Sequence, residues 1–153
     1  MAEMRFVPRN PQKYMGNVLK ITARSKWELL YMNALDNSNM VVKWISEPKT
    51  LNIKYFSPLD KKPHQYWPDF LVQYVDGSIE ILEIKPMKES SLEAAKSTYD
   101  KLMFAKNIAK WQAADRFAKA IGAKFRVITE QQLFGRKSTS APRRAKKTTG
   151  TRR

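Results

Sequence analysis

The sequence contains no cysteine and a single histidine, His64. Without cysteine there is no disulfide framework and no thiolate metal site. One histidine leaves no histidine-rich zinc site and argues against a Ser-His-Asp triad. No apolar run approaches the length of a membrane span. The opening MAEMRFVPRN lacks the apolar stretch of a signal peptide, so an intracellular protein is expected. No internal repeat is visible. Residues 136–153 contain no acid and no apolar residue except alanine, which predicts disorder in the free chain.

What is present is charge, unevenly placed. The 153 residues carry a net charge of +15. Eight basic residues and no acid lie between Arg136 and Arg153, and five basic residues and one acid between Met1 and Arg24. From Ser25 to Gly135 the balance is 16 basic against 13 acidic, an ordinary soluble composition. We therefore divide the chain into a basic N-terminal arm, 1–24, a domain, 25–135, and a basic tail, 136–153. Cationic ends favour a polyanion, of which nucleic acid is the commonest. The basic stretches lack the apolar face of a membrane-surface helix. The tail residues Arg136, Lys137, Arg143, Arg144, Lys146, Lys147, Arg152 and Arg153 are candidate DNA contacts, as are Arg24 and Lys26. If about six tail residues touched phosphates, affinity would fall with salt at a log–log slope near −5.

Periodicity outlines the domain. SKWELLYMNALD, 25–36, has helical spacing, and Ser25 with Glu28 forms a capping-box pattern. Strands are expected at 41–46 and 49–56, a polar loop at 57–65 that includes His64, and a hairpin at 66–85. Residues 90–122 have no proline or internal glycine, which predicts two helices or one bent helix, capped by Ser90 and Glu93 and ended by Gly122. A strand at 124–129 and a short helix from Thr129 complete the order. The class is α/β with a central mixed β-sheet flanked by helices.

The hairpin QYWPDFLVQYVDGSIEILEIKP is apolar on both faces, yet it contains Asp69, Glu83 and Lys85. Side chains alternate along a strand, so Ile79, Ile81, Glu83 and Lys85 share a face. With a two-residue loop at Asp76-Gly77, Asp69 opposes Ile84, away from Glu83. With a three-residue loop, Val75-Asp76-Gly77, Asp69 faces Glu83 and Gly77 takes the left-handed position. The sequence permits both. In the second register two close carboxylates repel, and a divalent cation relieves the repulsion. Oxygen ligands suit Mg²⁺ or Mn²⁺. Such an ion could polarise a phosphodiester and activate water, and Lys85 could stabilise the transition state.

At these residues the chain resembles the PD-(D/E)xK nuclease superfamily: Pro68-Asp69 supplies PD, and Glu83-Ile84-Lys85 supplies ExK. The segments ARSKWEL, YWPDFLV, EIKP and FRVITE together are similar to TnsA-type transposon endonucleases, and closer still to the head completion proteins of T-even-like tailed phages. The resemblance implies a restriction-endonuclease-like core. It also implies a metal-dependent deoxyribonuclease with Asp69, Glu83 and Glu28 as metal ligands and Lys85 as a catalytic residue. Glu28 equally suits the plain capping role. Double-stranded DNA and phage portal or neck proteins are the implied partners, in the host cytoplasm during assembly and then in the virion head or neck. A silent nuclease fold that grips DNA and the portal is the alternative.

Overall fold

The computed structural model describes residues 3–86 and 96–129 of the chain. A short pair, β1 (Met4–Arg5) and β2 (Thr22–Ala23), precedes helix α1 (Lys26–Asn37). Strands β3 (Val41–Ser46), β4 (Ile53–Phe56), β5 (Pro63–Tyr66), β6 (Phe70–Tyr74) and β7 (Ile79–Ile84) follow, then helix α2 (Thr98–Ala120) and β8 (Lys124–Ile128). Four strands form the central sheet in the order β3-β6-β7-β8. The first three are antiparallel, and β8 runs parallel to β7. This is the expected mixed sheet, with α2 within the β7–β8 connection.

The two sheet faces have different cores. One packs Trp44, Phe70, Val72, Leu82 and Ile84 against Met32 and Leu35 of α1. On the other, Ile81 meets Ala118 of α2. The side hairpin β4–β5 buries Ile53, Tyr55 and Tyr66 against Ala113 and Ala114. Alanines at these α2 positions allow a close approach.

The β6–β7 register pairs Phe70 with Leu82 and Gln73 with Ile79. Tyr74 N–H donates to Ser78 O at 2.9 Å, so the loop is the three-residue form. Gly77 has φ +88°, and a β-carbon there would meet nothing within 4 Å. The cost of a side chain at Gly77 is therefore backbone strain alone. Gly77→Ala should lower stability by about 1–2 kcal/mol, read as a lower urea midpoint with an unchanged slope.

Ser25 caps α1, accepting from Glu28 N–H at 3.1 Å. Ser97 caps α2 in the same way, accepting from Asp100 N–H at 3.0 Å. Gly122 ends α2 with φ +77°, and Ala123 N–H reaches back to Ala118 O at 2.7 Å, a Schellman closure. The expected Ser90–Glu93 cap, the final helix and the basic tail lie outside the described residues.

Three local expectations change. The basic N-terminal arm packs onto the domain where it is described, because Phe6, Ile21 and Ala23 join the main core. Buried Asp36 holds this segment by accepting from the N–H groups of Arg9 at 2.8 Å and Asn10 at 3.1 Å. The strand expected from 49 begins at Ile53, because Leu51 N–H turns back to Pro48 O at 3.1 Å. The loop expected at 57–65 yields a strand at Pro63, where His64 pairs with Tyr55. Its polar residues stay on an exposed edge, where proline is tolerated. Among the described residues no helix is long and apolar enough to cross a membrane.

Candidate active site

With the three-residue loop, Asp69 and Glu83 line one cleft together with Lys110 of α2. Asp69 Oδ2 accepts from Ile84 N–H at 2.7 Å. Glu83, 5% exposed, accepts the Tyr66 hydroxyl proton at Oε1 over 2.5 Å. Lys85 Nζ stands 3.6 Å from Glu83 Oε2. The residues that the sequence places in one hairpin therefore converge. They line a cleft of about 400 Å³ together with Arg24, Glu47, Lys49, Tyr55, Gln65, Tyr66, Trp67 and Lys110.

Burial pushes the Asp69 carboxyl up to about 8, and the Glu83 charge adds to it. The Ile84 N–H and the Arg24 guanidinium oppose this rise without cancelling it. Burial also raises the Tyr66 hydroxyl well above its usual value, with Glu83 reinforcing it. Tyr66 therefore stays a proton donor to Glu83 at neutral pH.

Glu28 reaches the site through Arg24. Its Oε1 accepts from Arg24 N–H at 3.0 Å, and its Oε2 lies 3.6 Å from the guanidinium. The same guanidinium contacts Glu47 Oε2 at 2.7 Å and Asp69 Oδ1 at 3.3 Å. Arg24, expected to touch DNA, thus has its charge shared among three carboxylates. Lys26 is exposed. The eight candidate DNA contacts of the tail lie outside the described residues.

Glu47, Tyr66 and Lys110 carry no motif signal. Glu47 sits at φ +45°, a region uncommon for a residue with a side chain. Its N–H donates to Asp69 O at 2.8 Å, which ties the end of β3 to the site. Lys110 comes from α2, far from the hairpin in sequence.

Among the described residues, no group of three or more acidic or histidine side chains is arranged to hold a metal ion. The Asp69–Glu83 pair nevertheless fits a hard cation. Mg²⁺ is commonly bound by one or two carboxylates, with water and substrate phosphate oxygens completing its shell. Burial and the neighbouring Glu83 charge raise the Asp69 carboxyl, and a cation bound between the two would favour its ionised form.

Residues 38–130 match the family described as TnsA-like endonuclease N terminal. A head completion nuclease of Enterobacteria phage T4 is 34% identical over 139 residues, covering 84% of this chain and 91% of the relative. The match with TnsA-like endonucleases spans the hairpin, α2 and β8, and gives the mixed sheet its restriction-endonuclease-like character. By this family match and this relative, the chain belongs to the TnsA-like endonuclease family.

Proposed function

We propose that the protein is a metal-dependent DNA endonuclease that acts on packaged DNA or its end while a phage head is completed, before tail attachment. The observation that carries this reading is the convergence of Asp69 and Glu83 on one cleft, with Lys85 next to Glu83. Asp69 and Glu83 would hold Mg²⁺ or Mn²⁺. When bound, the ion supplies Lewis-acid polarisation of the phosphodiester and offsets its charge.

The chain's own residues do the rest. Tyr66 fixes the orientation of Glu83 through Oε1 and leaves Oε2 facing Lys85. Ile84 N–H fixes Asp69 through Oδ2. The partly exposed Lys85 ammonium is placed to orient the attacking water or to stabilise charge gathering on the phosphoryl oxygens. Glu28 positions Arg24, and both keep Asp69 in place. The basic tail adds non-specific grip on duplex DNA. Portal or neck proteins are the proposed protein partners, first in the host cytoplasm and then in the virion.

One observation favours a second reading, a silent nuclease fold that grips DNA and the portal. Arg24 places a positive charge among Glu28, Glu47 and Asp69, where a cation would otherwise be needed. Complementation of a phage lacking this protein separates the two. The nuclease reading expects Asp69→Ala and Lys85→Ala to leave few infectious particles although the proteins accumulate normally. Normal particle yield from both variants, with failure after deletion of 136–153, would instead establish the gripping role.

A further inference from the structure

Among the described residues, two cations of the cleft, Lys49 and Lys110, have ring contacts but no oxygen partner, and Lys110 is the partly buried one of the two. It projects from α2, which Ala113 and Ala114 seat against Ile53, Tyr55 and Tyr66. Its ammonium lies 5.8 Å from the Tyr55 ring centroid and 5.7 Å from that of Tyr66. Among the described residues, no carboxylate or carbonyl oxygen lies within hydrogen-bond or ion-pair distance of it. Arg24 contrasts with this, being shared among Glu28, Glu47 and Asp69. Lys85 is paired with Glu83.

A partly buried ammonium beside two π faces keeps its attraction for anions but has lost part of its water shell. The group responds in its own titration: burial lowers the Lys110 value, while Glu83 pulls it back up. An oxyanion entering the cleft would supply the missing acceptor. The carboxylate pair would otherwise repel that anion, so a cation on the opposite wall is what such a ligand needs. Lysine acts on phosphate as a point charge on a flexible stem. The ammonium lies beside both rings, and all three residues line the cleft.

We propose that Lys110 binds a phosphate group of the DNA substrate and holds it against the Asp69–Glu83 pair from the helix side. The identity of the polyanion rests on the nuclease reading above. The phosphate contact itself does not.

The test is DNA binding by the full chain in chelator, measured by fluorescence anisotropy with a short labelled duplex over a range of salt. Lys110→Gln should bind about tenfold more weakly, with a log–log salt slope shallower by about 1. Lys110→Arg should recover most of the affinity, which also shows that the site tolerates replacement without misfolding. Lys119→Gln removes the same charge from an exposed position on the same helix, paired with Asp115, and should stay within about twofold of wild type. With Mg²⁺ added, Lys110→Gln should raise KM more than it lowers kcat. Equal losses in Lys110→Gln and Lys119→Gln would show that only net charge matters and overturn the proposal. So would an unchanged Lys110→Gln. If Asp69→Asn still cleaved DNA, the nuclease reading of the carboxylates would fail, while the anisotropy result would still judge Lys110.

Discussion

Replacing Asp69 by asparagine will remove cleavage and, in chelator at about pH 8, leave the protein at least as stable as wild type. The activity loss should reach about 10³-fold, equivalent to roughly 4 kcal/mol of barrier. The stability gain follows from burial of the Asp69 carboxyl beside the Glu83 charge. The Asp69 carboxyl titrates at about 8 in the folded protein and near 3.9 when unfolded. Between those values the folded state keeps a proton that the unfolded state gives up. Stability therefore falls as pH rises through this window. Asparagine cannot ionise, and its carbonyl can still accept from Ile84 N–H. Thermal melts in chelator should show the wild type losing stability from about pH 5 to 8, with a flatter profile for Asp69→Asn. Divalent ions should restore stability to the wild type at the alkaline end. A variant that melts well below wild type at every pH would mean that Asp69 is a structural ion-pair member held by Arg24.

The adjacent position should give the opposite phenotype. Phe70→Ala will cost about 3–5 kcal/mol of stability without touching the carboxylate pair. Phe70 is fully buried, 6.2 Å from the Trp44 ring and 5.4 Å from that of Tyr31. Its side chain faces the α1 core, while Asp69 faces the α2 side. Domains commonly hold only about 5–15 kcal/mol in total, so the variant should lose a large share of its urea resistance. Any fraction still folded at low temperature should cleave DNA at a rate near wild type. Equal losses of activity and stability in both variants would contradict the separation of faces.

That separation was legible in the hairpin because strand alternation is local. The register was not, since Asp76-Gly77 and Val75-Asp76-Gly77 are both acceptable turns. The structure takes the second, with Asp76 Oδ1 accepting from Ser78 N–H at 2.9 Å and Gly77 in the left-handed region. The caps at Ser25 and Gly122 were equally readable, because each uses neighbours within a few residues. The packing of the first segment was hidden. Its apolar residues Phe6 and Ile21 are scattered among bases and prolines, and its anchor, Asp36, lies 27 residues beyond Arg9. Strand β5 was hidden for a related reason: of Pro63, His64, Gln65 and Tyr66, only Tyr66 is buried. Pairing with β4 defines it, not a pattern of its own. The site divides in the same way. Asp69, Glu83 and Lys85 sit on paired strands at readable spacing. Glu47 and Lys110 arrive from a chain turn and a distant helix, which no spacing announces.

The most direct measurement is Mn²⁺-dependent cleavage of linear and supercoiled DNA by the wild type, beside chelator and Lys85→Ala controls. Cleavage by the wild type with Mn²⁺, absent in chelator and absent in Lys85→Ala, is the expected result. Tight DNA binding by all samples with no cleavage by any, or cleavage that survives both chelator and Lys85→Ala, would contradict a metal-dependent site built on Asp69, Glu83 and Lys85.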